Sequence, residues 1–205
     1  DITVPGDISS AAFFIVAGLI VPNAELKIKN VGLNPTRTGI VDVLKEMNAS
    51  LDVENRVEVA GESVGTINVK TSNLVNTVIG GDVIPRLIDE IPILALAGTM
   101  AKGSMLVKDA GELRVKESDR IQAVCQELGK LGISLIEKED GFSLEGKEGI
   151  LEIAQGLKLK SYGDHRMALM EIIAGLIASE SFEIDDVACM STSFPGFFDL
   201  LRSVT

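Results

Sequence analysis

Three stretches of this chain are apolar on every side rather than on one. Residues 9–20, 91–100 and 167–178 carry hydrophobic residues at almost every position, the pattern of a helix enclosed by other elements. Two further stretches are apolar only at three- and four-residue steps. Ile40, Val43, Leu44 and Met47 form one such stripe, and Ile121, Val124, Leu128 and Leu131 form another, so each predicts an amphipathic helix lying on a core. Between the helices the pattern alternates. Residues 25–29, with Leu26 and Ile28 on one face, then 50–53, 57–59, 67–70, 105–108, 133–137 and 181–185 read as strands. Gly141 marks a hairpin, residues 3–5 are extended, and Asn34-Pro-Thr-Arg-Thr-Gly39 is a turn. A last helix opens at Ser193-Phe194-Pro195, where proline suits the first helical position.

An aspartate precedes each all-apolar helix. Asp7, Asp89 and Asp164 recur at intervals of roughly 80 residues, and as helix caps they share one structural role. Each copy reads buried helix, strand, amphipathic helix, strand, strand. The predicted fold is therefore α/β, with three repeated units at about 5–75, 85–148 and 150–205 around a pseudo-threefold axis and the apolar helices innermost. Equivalent units place the N-termini of the inner helices on one face, where their positive dipole ends converge.

Composition narrows what that face can do. A chain of 205 residues that is 46% apolar can bury one large core or two small ones. Thirty acidic against nineteen basic residues, a net charge of -11, disfavour nucleic acid and anionic membranes as partners. An anion must then be held by a local cluster of cations. Cys125 and Cys189 have no metal-ligand spacing and read as free thiols in a reducing compartment. The longest apolar run, residues 11–21, is too short to span a bilayer, and the predicted location is the cytoplasm. A chain that begins at Asp1 and turns almost at once into a buried helix reads as an excised domain.

The candidate cations cluster at residues 112–121, Glu-Leu-Arg-Val-Lys-Glu-Ser-Asp-Arg-Ile, where Arg114, Lys116 and Arg120 stand among Glu112, Glu117 and Asp119. Ser118 and Asp119 can cap the helix that follows, so Arg120 falls in its first turn. A cation there opposes the macrodipole, and a bound anion such as a substrate phosphate would account for it. A solvated, ion-paired helix start accounts for it too, and on spacing alone that plainer reading has a slight edge. Arg166 repeats the anomaly at the third inner helix, and two coincidences favour anion binding. Arg37 is a weaker third case, with an exposed loop position as its preferred reading. His165, the one histidine, lies between Asp164 and Arg166, and a lone histidine more often packs or caps than it catalyses. Asp89, followed by Glu90, heads the helix that feeds the strand before the cationic cluster, and its carboxylate is placed to accept a proton from a substrate hydroxyl. Gly80 and Gly81 precede Asp82 without a following Lys-Ser/Thr, so there is no P-loop, and no Rossmann fingerprint is present. Scattered carboxylates and one histidine give no metal-ligand spacing. Lys, Arg, Asp and Glu remain, a set suited to acid-base addition and elimination on a phosphorylated, carboxylated substrate.

Leu113-Arg-Val-Lys-Glu-Ser-Asp-Arg120, with Glu-Leu-Gly-Lys-Leu-Gly at 127–132, closely resembles the signature of the 5-enolpyruvylshikimate-3-phosphate synthase family. Gly6-Asp-Ile-Ser-Ser-Ala-Ala-Phe13, Asp89-Glu-Ile-Pro-Ile-Leu-Ala95, Asp164-His-Arg-Met-Ala168 and Ser193-Phe-Pro-Gly-Phe197 agree in order, and with residues 34–39 they are most similar to the bacterial branch that includes glyphosate-tolerant enzymes. The resemblance implies one domain, the C-terminal one, of a two-domain enolpyruvyl transferase with an inside-out α/β barrel. Its activity would be transfer of the enolpyruvyl group of phosphoenolpyruvate to the 5-hydroxyl of shikimate 3-phosphate, releasing phosphate, with no metal and no organic cofactor, in a monomer. By position Asp89 matches the proton acceptor, Glu117 an acid or base on the tetrahedral intermediate, Lys116 a shikimate 3-phosphate contact, and Arg120 and Arg166 the phosphoenolpyruvate guanidinium groups. His165 is a further candidate. Thr192 stands where some family members carry a lysine. The partner N-terminal domain holds the other half of the site, so this chain alone should not turn over. A UDP-sugar enolpyruvyl transferase is the alternative within the fold, though neither cysteine lies in a flexible Gly-rich loop as that family's catalytic cysteine does. A non-catalytic anion-binding domain is the alternative outside it.

Overall fold

A computed structural model of the chain describes residues 4–59 and 61–204. Residue 3, part of the segment predicted extended, lies outside them. The first unit runs α1 (Ile8–Ile20), β1 (Glu25–Gly32), α2 (Gly39–Glu46), β2 (Ser50–Val59), β3 (Glu62–Lys70). After β4 (Val78–Ile79) the second runs α3 (Ile91–Thr99), β5 (Ser104–Val107), α4 (Arg120–Lys130), β6 (Leu135–Lys138), β7 (Gly141–Glu145). After β8 (Lys158–Leu159) come α5 (His165–Gly175), β9 (Glu183–Ile184), α6 (Met190–Ser193) and α7 (Phe197–Val204).

The helices predicted to lie inside do so. In α1 every residue except Ser10 is buried, in α3 every residue is, and α1, α3 and α5 each pack against the other two. Such enclosure is what an all-round apolar helix requires. The segment before each inner helix pairs in parallel with the strand after it: Gly6 with Val31 in β1, β4 with β5, and β8 with β9. Each unit is thus built on a βαβ crossover, a pairing that periodicity did not reveal. The inner helices carry Ala-Gly at equivalent places, 17–18, 97–98 and 174–175. A Cβ at Gly18 would overlap Val69, and one at Gly98 would lie 2.6 Å from Met105 Cε, so the missing side chains set how closely helix and sheet approach.

Four expectations are corrected. The runs 50–53 and 57–59 form one strand, because the polar break between them is a bulge at Glu54/Val57, with Asn55 at φ 53, and not a turn. The strand-strand ending predicted for all three units is absent from the third among the described residues, where β9 is two residues long and α6 and α7 follow. Pro195 does not start a helix. It sits in a Pro195-Gly196 turn after α6, Gly196 taking φ 82, and α7 begins at Phe197. Asp89, finally, is not a cap. Asp7 accepts from Ser10 N at 3.0 Å and Asp164 from Arg166 N at 2.9 Å, as expected of caps. At α3 the cap position belongs to Glu90, whose side chain makes no capping bond, and Asp89 lies in a 3₁₀ turn, Ile88–Glu90. Pro92 at the head of α3 has no N–H to offer a capping carboxylate, which leaves Asp89 free to point elsewhere.

Candidate active site

The loop before α4 is set by Arg114. Its guanidinium donates to Glu139 O at 2.7 Å, to Lys138 O at 2.5 Å and to Asp119 Oδ2 at 2.8 Å, and pairs with Glu137 at 3.0 Å. Asp119 in turn caps α4 through Gln122 N at 3.0 Å. Leu113 is buried beneath the same loop. Lys116, Glu117 and Arg120 are therefore presented from a segment tied to the β6–β7 hairpin.

Arg120 is the largest fully buried side chain of the core. Its Nε donates to Asp164 Oδ2 at 2.8 Å, its Nη1 to Asp89 Oδ1 at 3.0 Å, and its Nη2 to Glu117 Oε2. Burial alone would lower its pKa, but the Asp164 hydrogen bond and the charges of Asp164, Glu117 and Asp89 more than reverse that. Asp164 is itself fully buried and accepts from Ser118 Oγ at 3.0 Å. Burial pushes its pKa up, and Arg120 with the Arg166 amide and Ser118 holds it below the usual value.

Asp89, 33% exposed, is the carboxylate on which the cations converge. Arg120 Nη1 lies 3.0 Å and Lys116 Nζ 3.7 Å from its Oδ1, and Arg166 Nη2 lies 3.5 Å from its Oδ2. Burial raises its pKa, and Arg166, Lys116 and Arg120, in that order, outweigh the burial and hold it below the ordinary carboxylate range. Lys116 also pairs with Glu112 at 2.7 Å, and Glu117 is half exposed. Five of the predicted site residues thus form one connected network at the N-terminal ends of the inner helices. His165 lies beside it in a small hollow with Ser9, Arg166 and Ser193, its pKa lowered by burial and then by Arg166.

Some members were not read from the sequence. Asp164 was read only as a cap, yet one oxygen caps α5 while the other holds Arg120. Ser9 and Glu90, both 2% exposed, are hydrogen-bonded to each other across the axis, and Arg37 Nη2 donates to Ser9 Oγ at 2.8 Å. Arg37 is half exposed, as expected of its loop, but its head group is turned inward to Ser9 and lies 3.7 Å from Asp7. The cysteines are unpaired and partly buried, and burial pushes the Cys125 thiol up to about 12, far from a reactive thiolate.

The model of one protein family, EPSP synthase (3-phosphoshikimate 1-carboxyvinyltransferase), matches residues 1–201. The chain belongs to the EPSP synthase family. A 3-phosphoshikimate 1-carboxyvinyltransferase of Citrifermentans bemidjiense is 50% identical over 204 residues, covering 100% of this chain and 47% of that protein. One from Petrotoga mobilis is 52% identical, covering 98% of this chain and 46% of its own. Among solved structures, the EPSP synthase of Acinetobacter baumannii superposes with a TM-score of 0.94 at 42% identity, over 99% of this chain and 46% of that one. The enolpyruvyl transferase NikO of Streptomyces tendae, at 18% identity and a TM-score of 0.71 over 100% of this chain and 43% of its own, shares the fold. The chain spans about half the length of the EPSP synthases it matches.

Proposed function

We propose that this chain is the C-terminal domain of a 3-phosphoshikimate 1-carboxyvinyltransferase and supplies half of a site that a second domain completes. The carrying observation is the Asp89 carboxylate, ringed by Arg120, Arg166 and Lys116 at the converged helix ends. In the proposed reaction Arg120 and Arg166 bind the phosphoenolpyruvate anion and Lys116 contacts shikimate 3-phosphate. Asp89 takes the proton of the 5-hydroxyl as its oxygen bonds to C2 of phosphoenolpyruvate, while C3 is protonated. The resulting tetrahedral intermediate loses a C3 proton and expels phosphate, which restores the double bond in the transferred group. Glu117, half exposed beside Arg120, is the acid or base at C3. Three cations already face three carboxylates, Asp89, Glu117 and Asp164, so an incoming anion must exchange with one of them. Asp89 is the partner to be exchanged, since its cation contacts, at 3.0, 3.5 and 3.7 Å, are all longer than the 2.8 Å buried Arg120–Asp164 pair. As arginine charge is drawn to substrate, Asp89 becomes a stronger base.

The test is phosphate release by the complete enzyme with phosphoenolpyruvate and either shikimate 3-phosphate or a UDP-sugar, repeated with Arg120→Ala. Release with shikimate 3-phosphate alone, falling by roughly 100-fold or more in the variant, is expected. Release with the UDP-sugar would transfer the reading to the other enolpyruvyl transferases, and release with neither would leave an anion-binding domain. Adding glyphosate to the same assay decides whether the tolerance of the resembling branch extends to this enzyme. A cytoplasmic monomer completes the reading, and among the described residues no helix is long and apolar enough to cross a membrane.

A further inference from the structure

The turn at residues 34–39, with Arg37 in it, takes no part in the proposed chemistry, yet it is tied to the segment that carries Asp89. Of the three aspartates before the inner helices, Asp7 and Asp164 are held by amides of their own helices, whereas α3 has no side-chain cap and Asp89 is not so held. Its place must be set from elsewhere. Arg86, at the end of the 3₁₀ turn Gly81–Arg86, donates from Nε to Pro35 O at 2.8 Å and from Nη2 to Asp42 Oδ2 at 2.7 Å. Glu90, the residue after Asp89, is 2% exposed and accepts from the Ser9 hydroxyl at the head of α1. Arg37 Nη2 donates to the same Ser9 oxygen at 2.8 Å, and a guanidinium only donates, so the Ser9 proton is directed at Glu90. The turn itself is closed by Arg37 N on Asn34 O at 2.8 Å and by Thr36 N on Asn34 Oδ1 at 3.0 Å. Residues 86–90 are thus fastened to the first unit on both sides of Asp89. An apolar side chain at position 90 would join α1 to α3 without desolvating a carboxyl, but it would not fix one orientation as a directional hydrogen bond does.

We infer that Ser9 and Glu90 are positioning residues for Asp89: with Ser9 aligned by Arg37, their hydrogen bond fixes the 3₁₀ turn Ile88–Glu90 and, through its backbone, the direction in which the Asp89 carboxylate meets the substrate hydroxyl. This rests on the enolpyruvyl-transfer reading, with Asp89 as the proton acceptor. A carboxylate 33% exposed and held by no amide of its own helix keeps its place among Arg120, Lys116 and Arg166 only while the backbone beneath it is fixed. Released, it would spend less time 3.0 Å from Arg120 Nη1, so its pKa would rise toward the ordinary carboxylate value and its proton transfer would lose alignment. Substrate binding would change little, because Arg120 is held by Asp164 and not by this turn.

The experiment uses the complete enzyme with Ser9→Ala, Glu90→Ala and Glu90→Gln, measuring kcat, KM for each substrate, the pH dependence of kcat/KM, Tm, and the Asp89 titration by carbon NMR of labelled aspartate, assigned with Asp89→Asn. Glutamine keeps the acceptor oxygen that the Ser9 hydroxyl needs, so kcat of Glu90→Gln should stay within about threefold of wild type. Ser9→Ala and Glu90→Ala should lower kcat roughly tenfold with both KM values within about twofold, and should move the acid limb and the Asp89 titration upward. Ser9→Ala, the smaller change, carries the test if Glu90→Ala does not fold. An Asp89 titration that stays in place in Ser9→Ala overturns the inference, whatever happens to Tm, because a merely structural tie would lower Tm alone. So does a loss confined to KM, or an equal loss in Glu90→Gln and Glu90→Ala, the mark of charge and not of the bond. If the wild type turns over neither acceptor, the transfer reading fails and NMR decides: an upward Asp89 titration in Ser9→Ala but not in Glu90→Gln upholds the positioning of Asp89, and any other pattern overturns it.

Discussion

Asp89 has a basicity set by its neighbours, and in the proposed reaction those neighbours change. In the free enzyme its pKa lies below the ordinary aspartate value, so the carboxylate is present above that lowered pKa and is lost only as pH falls through it. The acid limb of kcat/KM, which reports free-enzyme groups, should therefore lie below about pH 4. Lys116→Met, which removes a cation 3.7 Å from Asp89, should move that limb upward. A pH profile of the two enzymes checks both, and an unmoved limb would assign it to another group. Arg120 and Arg166 were legible in the sequence because a cation at a helix start conflicts with the macrodipole. Their partners were not. Arg120 meets Asp164 across 44 positions and Ser9 meets Glu90 across 81, separations that leave no local pattern.

At the scale of elements, α4 and α5 run side by side with an attractive pair at their heads, Arg120 and Asp164. Two turns on, each carries a glutamate, Glu127 and Glu171, and both are fully buried. Glu127 is answered by Lys130 at 2.6 Å, Tyr162 Oη at 2.7 Å and the Lys160 amide at 3.0 Å. Glu171 has no hydrogen-bond partner for either oxygen among the described residues. Burial, then Glu127 and Asp185, push it up to about 8, against a smaller pull from Lys130. A raised carboxyl pKa stabilises the fold fully below the unfolded value and loses that contribution as pH rises through the folded one. Tm should therefore fall between about pH 5 and 8, and Glu171→Leu, similar in volume, should flatten this fall and raise Tm at pH 8. Calorimetric melts across that range measure it, and parallel slopes in the two proteins would refute it. The extents of α1 and α3 were legible because apolarity and helix coincide there. The third inner helix was read too long, to 178, because Leu176, Ile177 and Ala178 are apolar for a different reason: Leu151 N bonds Ile177 O at 2.9 Å and Leu151 bridges Ala178 in parallel. Periodicity cannot separate a buried helix end from a buried extended segment.

Across the whole molecule, the threefold repeat was visible in the recurring aspartate and apolar helix, but the inequality of its copies was not. Among the described residues the three sheets have three, four and two strands, and the last pairs only Lys158 with Glu183 and Leu159 with Ile184. A two-stranded pairing is marginal by itself, so the units should differ in how often they open. Amide hydrogen exchange should be faster at Glu183 and Asp185, which bond Leu157 O and Leu159 O, than at Ile67 and Val69 in the interior of the first sheet. Equal protection would show that α5 braces its short sheet as firmly as the wider sheets brace theirs. The asymmetry bears on timing. Arg166 rides on the unit with the least sheet, while Asp89 and Arg120 ride on a unit with four paired strands. On that prediction the cation proposed to let go of one anion and take another is mounted on the part of the molecule that opens more often, and the groups proposed to hold still are mounted on a part that opens less.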